Sequence, residues 1–216
     1  MNILVAGYQT TTGTCVYWSI SLIRDACISA TLTWALLELA MHPKVQRKLR
    51  EEILTFDREP TYDQLSKDFP YLDAVVHEVL RLHPSSPDFP RVVKRSPQHI
   101  VSSLRLHFQA TEDDVIPLSQ PVRTKSGEVA HNIFVARGTF VTVPTTFINC
   151  SEALWGPDAK QFRPERWVET DGIPQQAWEL QGHRHILTFA DGPKMCLGKL
   201  FVIAEIKVCC HQRRYL

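Results

Sequence analysis

The chain has 216 residues, 44% of them hydrophobic and 22% charged, with a formal net charge of +1. This is enough for one large domain or two small ones with a sizeable core, and the near-neutral balance without a long basic run argues against nucleic acid or an acidic membrane as the main partner. Six cysteines (Cys15, Cys27, Cys150, Cys196, Cys209, Cys210) lack regular spacing and follow no secretory signal, which excludes a disulfide-stapled module and predicts a reducing compartment.

The opening stretch has no basic leader, and its Gln and Thr cluster interrupts any apolar run long enough to span a bilayer, so no membrane anchor is predicted. From Ala30 to Leu39 helix formers place apolar residues at 32, 35, 36 and 39, one face of a helix. His42-Pro43 ends it. Pro43 then suits the first turn of a second amphipathic helix with Val45, Leu49 and Ile53 on one face. A third helix, Tyr71 to Leu82, follows Phe69-Pro70 and ends at His83-Pro84. In the middle, residues 132–146 are rich in Val, Ile, Phe and Thr around Arg137-Gly138 and predict a short hairpin. A long irregular stretch punctuated by Gly156-Pro157, Pro164, Gly172 and Pro174 leads to "FADGPKMCLG", and residues 197–208 regain helical periodicity. No internal repeat or low-complexity segment is evident.

Cys196 therefore sits at or just before a helix N-terminus, where unpaired N–H groups and the helix dipole favour a thiolate. Gly192 permits a tight turn and Gly198 a close backbone approach. Taken alone, the cysteine reads either as a buried structural thiol or as a metal ligand. Phe189, Gly192, Cys196 and Gly198 match F-x-x-G-x-x-x-C-x-G, which resembles the haem-thiolate turn of the cytochrome P-450 family. The resemblance implies that Cys196 is the axial ligand of haem b, whose thiolate would favour O–O cleavage. Lys194 stands where the family usually has Arg or His on a haem propionate, and it lacks the bidentate fork of Arg.

Three further motifs follow in the family's order. Glu78 and Arg81 lie at i, i+3 in the third helix, a spacing that alone reads as a surface pair. The apolar context "AVVHEVLRL" and the downstream "FRPERW" resemble the family's buried ion triad, here Glu78, Arg81 and Arg166. "RLHPSSPDFPR" resembles the segment whose arginine contacts a propionate, which implies that role for Arg91; an exposed arginine is the alternative. "AGYQTT" resembles the oxygen-activation motif of the distal helix, with Thr10 as the threonine and Gln9 in place of the acid, so that proton delivery would rest on threonine and water.

The resemblance implies a mainly α chain with a small β part, the C-terminal part of the cytochrome P-450 fold from the distal helix through the haem-thiolate turn and the following helix. Residues 1–216 are read as one partial domain of fungal type, beginning at the distal helix and ending before the family's last strands, with insertions at 12–28 and 93–109, 17 residues each. Both insertions read as retained introns. Seventeen helical residues add roughly 26 Å and turn the downstream face by about 260°, so the first must loop out or the fold suffers.

The implied function is a haem-thiolate monooxygenase taking O2, a small organic substrate and electrons from an NADPH-dependent reductase. The full-length family's location is the endoplasmic reticulum membrane, and this chain without an anchor is otherwise expected in the cytoplasm. The alternative is a non-catalytic fragment with weak or no haem binding. A zinc module using Cys196, Cys209, Cys210 and nearby histidines is disfavoured because no paired short spacing such as C-x2-C occurs.

Overall fold

The computed structural model describes residues 18–56, 59–91, 112–192 and 195–212. They are mainly helical with a small antiparallel β part: α1 (Trp18–Met41), α2 (Pro43–Leu54), α3 (Tyr62–Lys67), α4 (Pro70–Leu82), β1 (Phe89–Arg91), β2 (Asp114–Arg123), β3 (Val129–Val135), β4 (Val141–Val143), α5 (Thr145–Asn149), α6 (Glu152–Trp155) and α7 (Lys199–Gln212). Single 3-10 turns at Pro164–Trp167, Gln175–Glu179 and His183–His185 punctuate the stretch before α7. No helix among the described residues is long and apolar enough to cross a membrane. The chain divides into two compact units, one made of the chain up to Pro87 with Thr145 onward, the other Asp88–Pro144.

In the larger unit α4 is the central element, packed against α1, α2, α5, α7 and the turn at Pro164–Trp167. From Tyr71 to Leu82 every residue except Asp73 is buried. A helix covered on all sides has no face to leave to water, so its charged or titratable buried positions, Tyr71, His77, Glu78 and Arg81, must all find partners inside. Its start is fixed by Pro70 in the first turn and by a carboxylate from another helix: Glu52 of α2 accepts from the backbone N–H groups of Tyr71 and Leu72, each at 2.8 Å. Its end coincides with His83, the residue before Pro84. The α3 N-terminus is closed by a reciprocal pair, Thr61 N–H to Gln64 Oε1 at 3.0 Å and Gln64 N–H to Thr61 Oγ1 at 3.4 Å.

The predicted second helix is found at its predicted bounds and the third starts one residue earlier, at Pro70, and Leu49 and Ile53 are in the core with Val45 packed against it. The first helix differs in two ways. Residues 18–28 do not loop out, since α1 runs unbroken from Trp18 through Met41. Its buried positions include Ala35, Glu38 and Leu39, whereas Leu36 is 38% exposed. Glu38 takes the inner place because its carboxylate meets His83 Nε2 at 2.7 Å and His42 Nδ1 at 3.3 Å, while the His83 ring stacks on Trp34 at 4.1 Å.

In the smaller unit β2 and β3 form a hairpin closed at Thr124 and Glu128, with Gly127 at φ 89°. β1 pairs antiparallel with β4, Arg91 opposite Val141. The hairpin predicted around Arg137-Gly138 is therefore corrected: a turn with Gly138 at φ 86° is present, but the strands flanking it pair with other strands and not with each other. β2 escaped the sequence reading because Pro117 and Pro121 interrupt it, and the register shifts between Pro117 and Val122. The proposed insertion 93–109 lies outside the described residues.

Candidate functional site

The cysteine turn is built from nested hydrogen-bonded turns. Leu187 O accepts from Ala190 N–H at 2.9 Å, Gly192 O from Met195 N–H at 3.1 Å, and Phe189 O from Cys196 N–H at 2.8 Å. The backbone turns through positive φ at Ala190 (59°) and Gly192 (56°), and only the glycine adopts that region without steric cost. Gly198 O accepts from Val202 N–H at 2.9 Å, and α7 begins at Lys199, shortly after the cysteine. Phe189 is buried, whereas Cys196 is half-buried with a free thiol and its neighbours Leu197 and Leu200 are exposed.

A buried charge cluster joins α4 to the irregular stretch that precedes this turn. Arg81 grips Glu78 with both arms, Nε to Oε2 at 2.9 Å and Nη2 to Oε1 at 2.8 Å, and Arg166 Nε reaches Oε1 at 3.1 Å. Trp167 Nε1–H and the Arg163 backbone N–H complete the carboxylate's contacts at 2.9 and 3.0 Å. The outer faces of the two guanidiniums donate to the irregular chain: Arg81 to the carbonyls of Asn149, Ala159 and Gln161, Arg166 to the Asp158 carbonyl and carboxylate. Backbone that joins no sheet has its carbonyls satisfied this way, which makes the cluster the scaffold of the stretch preceding the cysteine turn. Asp158 balances the second guanidinium, and the Arg163 and Arg166 guanidiniums outweigh burial to hold its carboxyl below the usual range.

A second polar group surrounds Asp73. Its carboxylate meets Lys207 Nζ and Arg184 Nη1, each at 2.6 Å, and His77 Nδ1 at 3.3 Å. Burial works against the charge on Asp73, but His77 and Lys207 outweigh it and hold the carboxyl well below the ordinary range. His77 Nε2 faces His183 Nε2 at 3.5 Å, and burial together with His77 lowers the His183 pKa to about 4.

Of the residues singled out in the sequence, Glu78, Arg81 and Arg166 are brought together, and Phe189, Gly192, Cys196 and Gly198 form one turn. Thr10, Gln9 and Lys194 lie outside the described residues. Arg91 is the last residue of β1, in the smaller unit. The sequence reading missed Asp158, Asn149 and the Trp167 indole as partners of the cluster. "RPERW" held the indole in plain view, but nothing local marks Asp158 or Asn149.

The fit to a haem rests on the chemistry of the donors. No group of three or more His, Cys, Asp or Glu residues placed to hold a metal occurs among the described residues. A lone half-exposed thiol ahead of a helix, beside exposed apolar side chains, suits a metal whose other ligands arrive with the cofactor.

The Cytochrome P450 family matches residues 26–101 and 103–213, and the chain belongs to that family. Among curated relatives, Cytochrome P450 monooxygenase claQ and Cytochrome P450 monooxygenase claP of Ampulloclitocybe clavipes are 46% and 47% identical over 96% of this chain. Cytochrome P450 monooxygenase 128 of Postia placenta is 34% identical over 94% of it. The chain spans about a third of the length of these relatives, 32% for claQ and 31% for the Postia protein.

Proposed function

We propose that the chain carries the haem-thiolate part of a fungal-type monooxygenase, with the Cys196 thiolate as the protein's ligand to haem b. The observation that supports this most is the turn itself: one free thiol, placed by the Phe189 O to Cys196 N–H bond ahead of α7, in a turn joined to the Glu78 cluster through Asn149. When bound, the haem supplies the redox chemistry by which one atom of O2 enters an organic substrate. Lys194 and Arg91 supply cations for the two propionates, and Thr10 provides a hydroxyl proton for oxygen activation with a water held by the Gln9 amide. Electrons come from an NADPH-dependent reductase, and the whole protein works at the endoplasmic reticulum membrane on a small organic substrate.

The test is to load the chain with haem and record the absorption of the reduced, carbon monoxide-bound form beside Cys196→Ser. A long-wavelength Soret band lost in the variant is the expected result. Absence of that band in the unaltered chain makes this polypeptide a non-catalytic fragment.

A further inference from the structure

We infer that Asn149 and Thr188 are positioning residues that lock the cysteine turn to the buried charge cluster; the inference rests on the haem-thiolate reading of Cys196. Asn149 is fully buried at the end of α5, and Thr188 is 5% exposed. The Asn149 backbone carbonyl accepts from Arg81 Nη1 at 2.8 Å, so Arg81 holds it while gripping Glu78. Its side chain faces the cysteine turn: Oδ1 accepts from the Leu187 backbone N–H at 2.9 Å, and Nδ2 donates to Thr188 Oγ1 at 3.0 Å. The Thr188 hydroxyl in turn donates to Leu80 O of α4 at 2.6 Å.

This set of bonds admits one arrangement. A backbone carbonyl only accepts, so the single hydroxyl proton of Thr188 is committed to Leu80 O and its oxygen must accept from Asn149. The Leu187 N–H only donates, so it requires the amide oxygen. An amide at position 149 meets both demands, whereas a carboxylate of the same shape meets only one. Leu187 and Thr188 open the tight turn whose third residue, Phe189, offers its carbonyl to Cys196 N–H. A connected route of short contacts therefore runs from Glu78 through Arg81, Asn149, Thr188 and Phe189 to the backbone of the thiol residue. Neither residue touches the thiol, so each acts through the turn.

The test compares the haem-loaded unaltered chain with Asn149→Asp, Thr188→Val, Thr188→Ser and Cys196→Ser, reading the thiolate Soret band in the folded fraction of each by circular dichroism and absorption. Asn149→Asp and Thr188→Val each leave a buried polar group unpaired, and the expected effect is a roughly five- to hundredfold fall in the ratio of thiolate-ligated to unligated chain. Thr188→Ser keeps both bonds and is expected to match the unaltered chain. Should Asn149→Asp fail to accumulate, Thr188→Val decides, since it changes one hydroxyl. A folded Thr188→Val chain with an undiminished band overturns the inference while leaving the haem-thiolate reading intact. An unaltered chain without any band overturns both.

Discussion

Arg81 and Glu78, one turn apart on α4, form a two-pronged ion pair with neither side chain exposed to solvent, and Arg166 shares the same carboxylate from 88 residues further along the chain. Two guanidiniums, two carboxylates and five backbone carbonyl or amide contacts leave no charge in this cluster without a counterpart. Such a cluster is weak evidence of net stability, because bringing the charges out of water costs about what their attraction returns, but removing one member leaves the others stranded.

Glu78→Gln is accordingly expected to destabilise the chain by about 3–5 kcal/mol, with Arg81 and Arg166 left facing each other across a neutral amide. Denaturant titration followed by tryptophan fluorescence measures it directly, since Trp155 lies under Arg81 and Trp167 donates to Glu78. A loss below about 1 kcal/mol, the size of a surface pair, contradicts the buried description.

Glu52 is the second carboxylate with a structural task. Glu52→Ala frees two N–H groups at the start of α4 and is expected to cost roughly 1–2 kcal/mol, the usual size of a lost helix cap. Glu52→Gln, which keeps an acceptor, should recover part of that in the same titration.

The His183 imidazole sets a pH dependence. Its pKa falls from 6.5 to about 4 on folding, so between those values the unfolded chain binds the proton more readily. Stability due to His183 is therefore complete above pH 6.5, declines as pH falls, and stops declining below about 4. Asp73 has the depressed-carboxylate sign: its contribution is present above the unfolded carboxylate pKa and fades in acid below that value. Melting temperatures between pH 7 and pH 4 should fall less steeply in His183→Asn than in the unaltered chain, and extending the series below pH 3.8 should show Asp73→Asn flattening that more acid limb.

The thiols differ in reactivity. Burial pushes the Cys210 thiol up to about 12, and burial also raises Cys150. Alkylation of the native chain near neutral pH followed by mass spectrometry should modify Cys196 ahead of both, because the reacting species is the thiolate. Prior loading with haem should protect Cys196 and leave the others unchanged; equal labelling of Cys196 with and without haem contradicts its role as the ligand.

We propose that residues 12–28 and 93–109 are retained introns, which predicts transcripts lacking one or both. Removing 12–28 joins "AGYQTT" to "SATLTWALLELAMHP". Sequencing the complementary DNA checks this, and transcripts that always contain both segments end the idea.

The sequence by itself determined what is decided by neighbours along the chain. Proline at 43, 70 and 84 and apolar residues at helical intervals set the bounds of α2 and α4, because each acts on φ/ψ or on one helical face within a turn or two. The turn around Cys196 was legible for the same reason, its glycines and aromatic lying within ten residues. Tertiary structure decided the rest. β4 pairs with β1 rather than with the strand just before it, and Leu36 is exposed while Glu38 is buried because His83, 45 residues away, supplies the partner for its carboxylate. Likewise the cluster's links to Asn149 and Gln161 cross 68 and 80 residues. No periodicity reports which distant carbonyl a buried guanidinium will reach; that is settled only when packing removes water and every polar group left inside must find a partner.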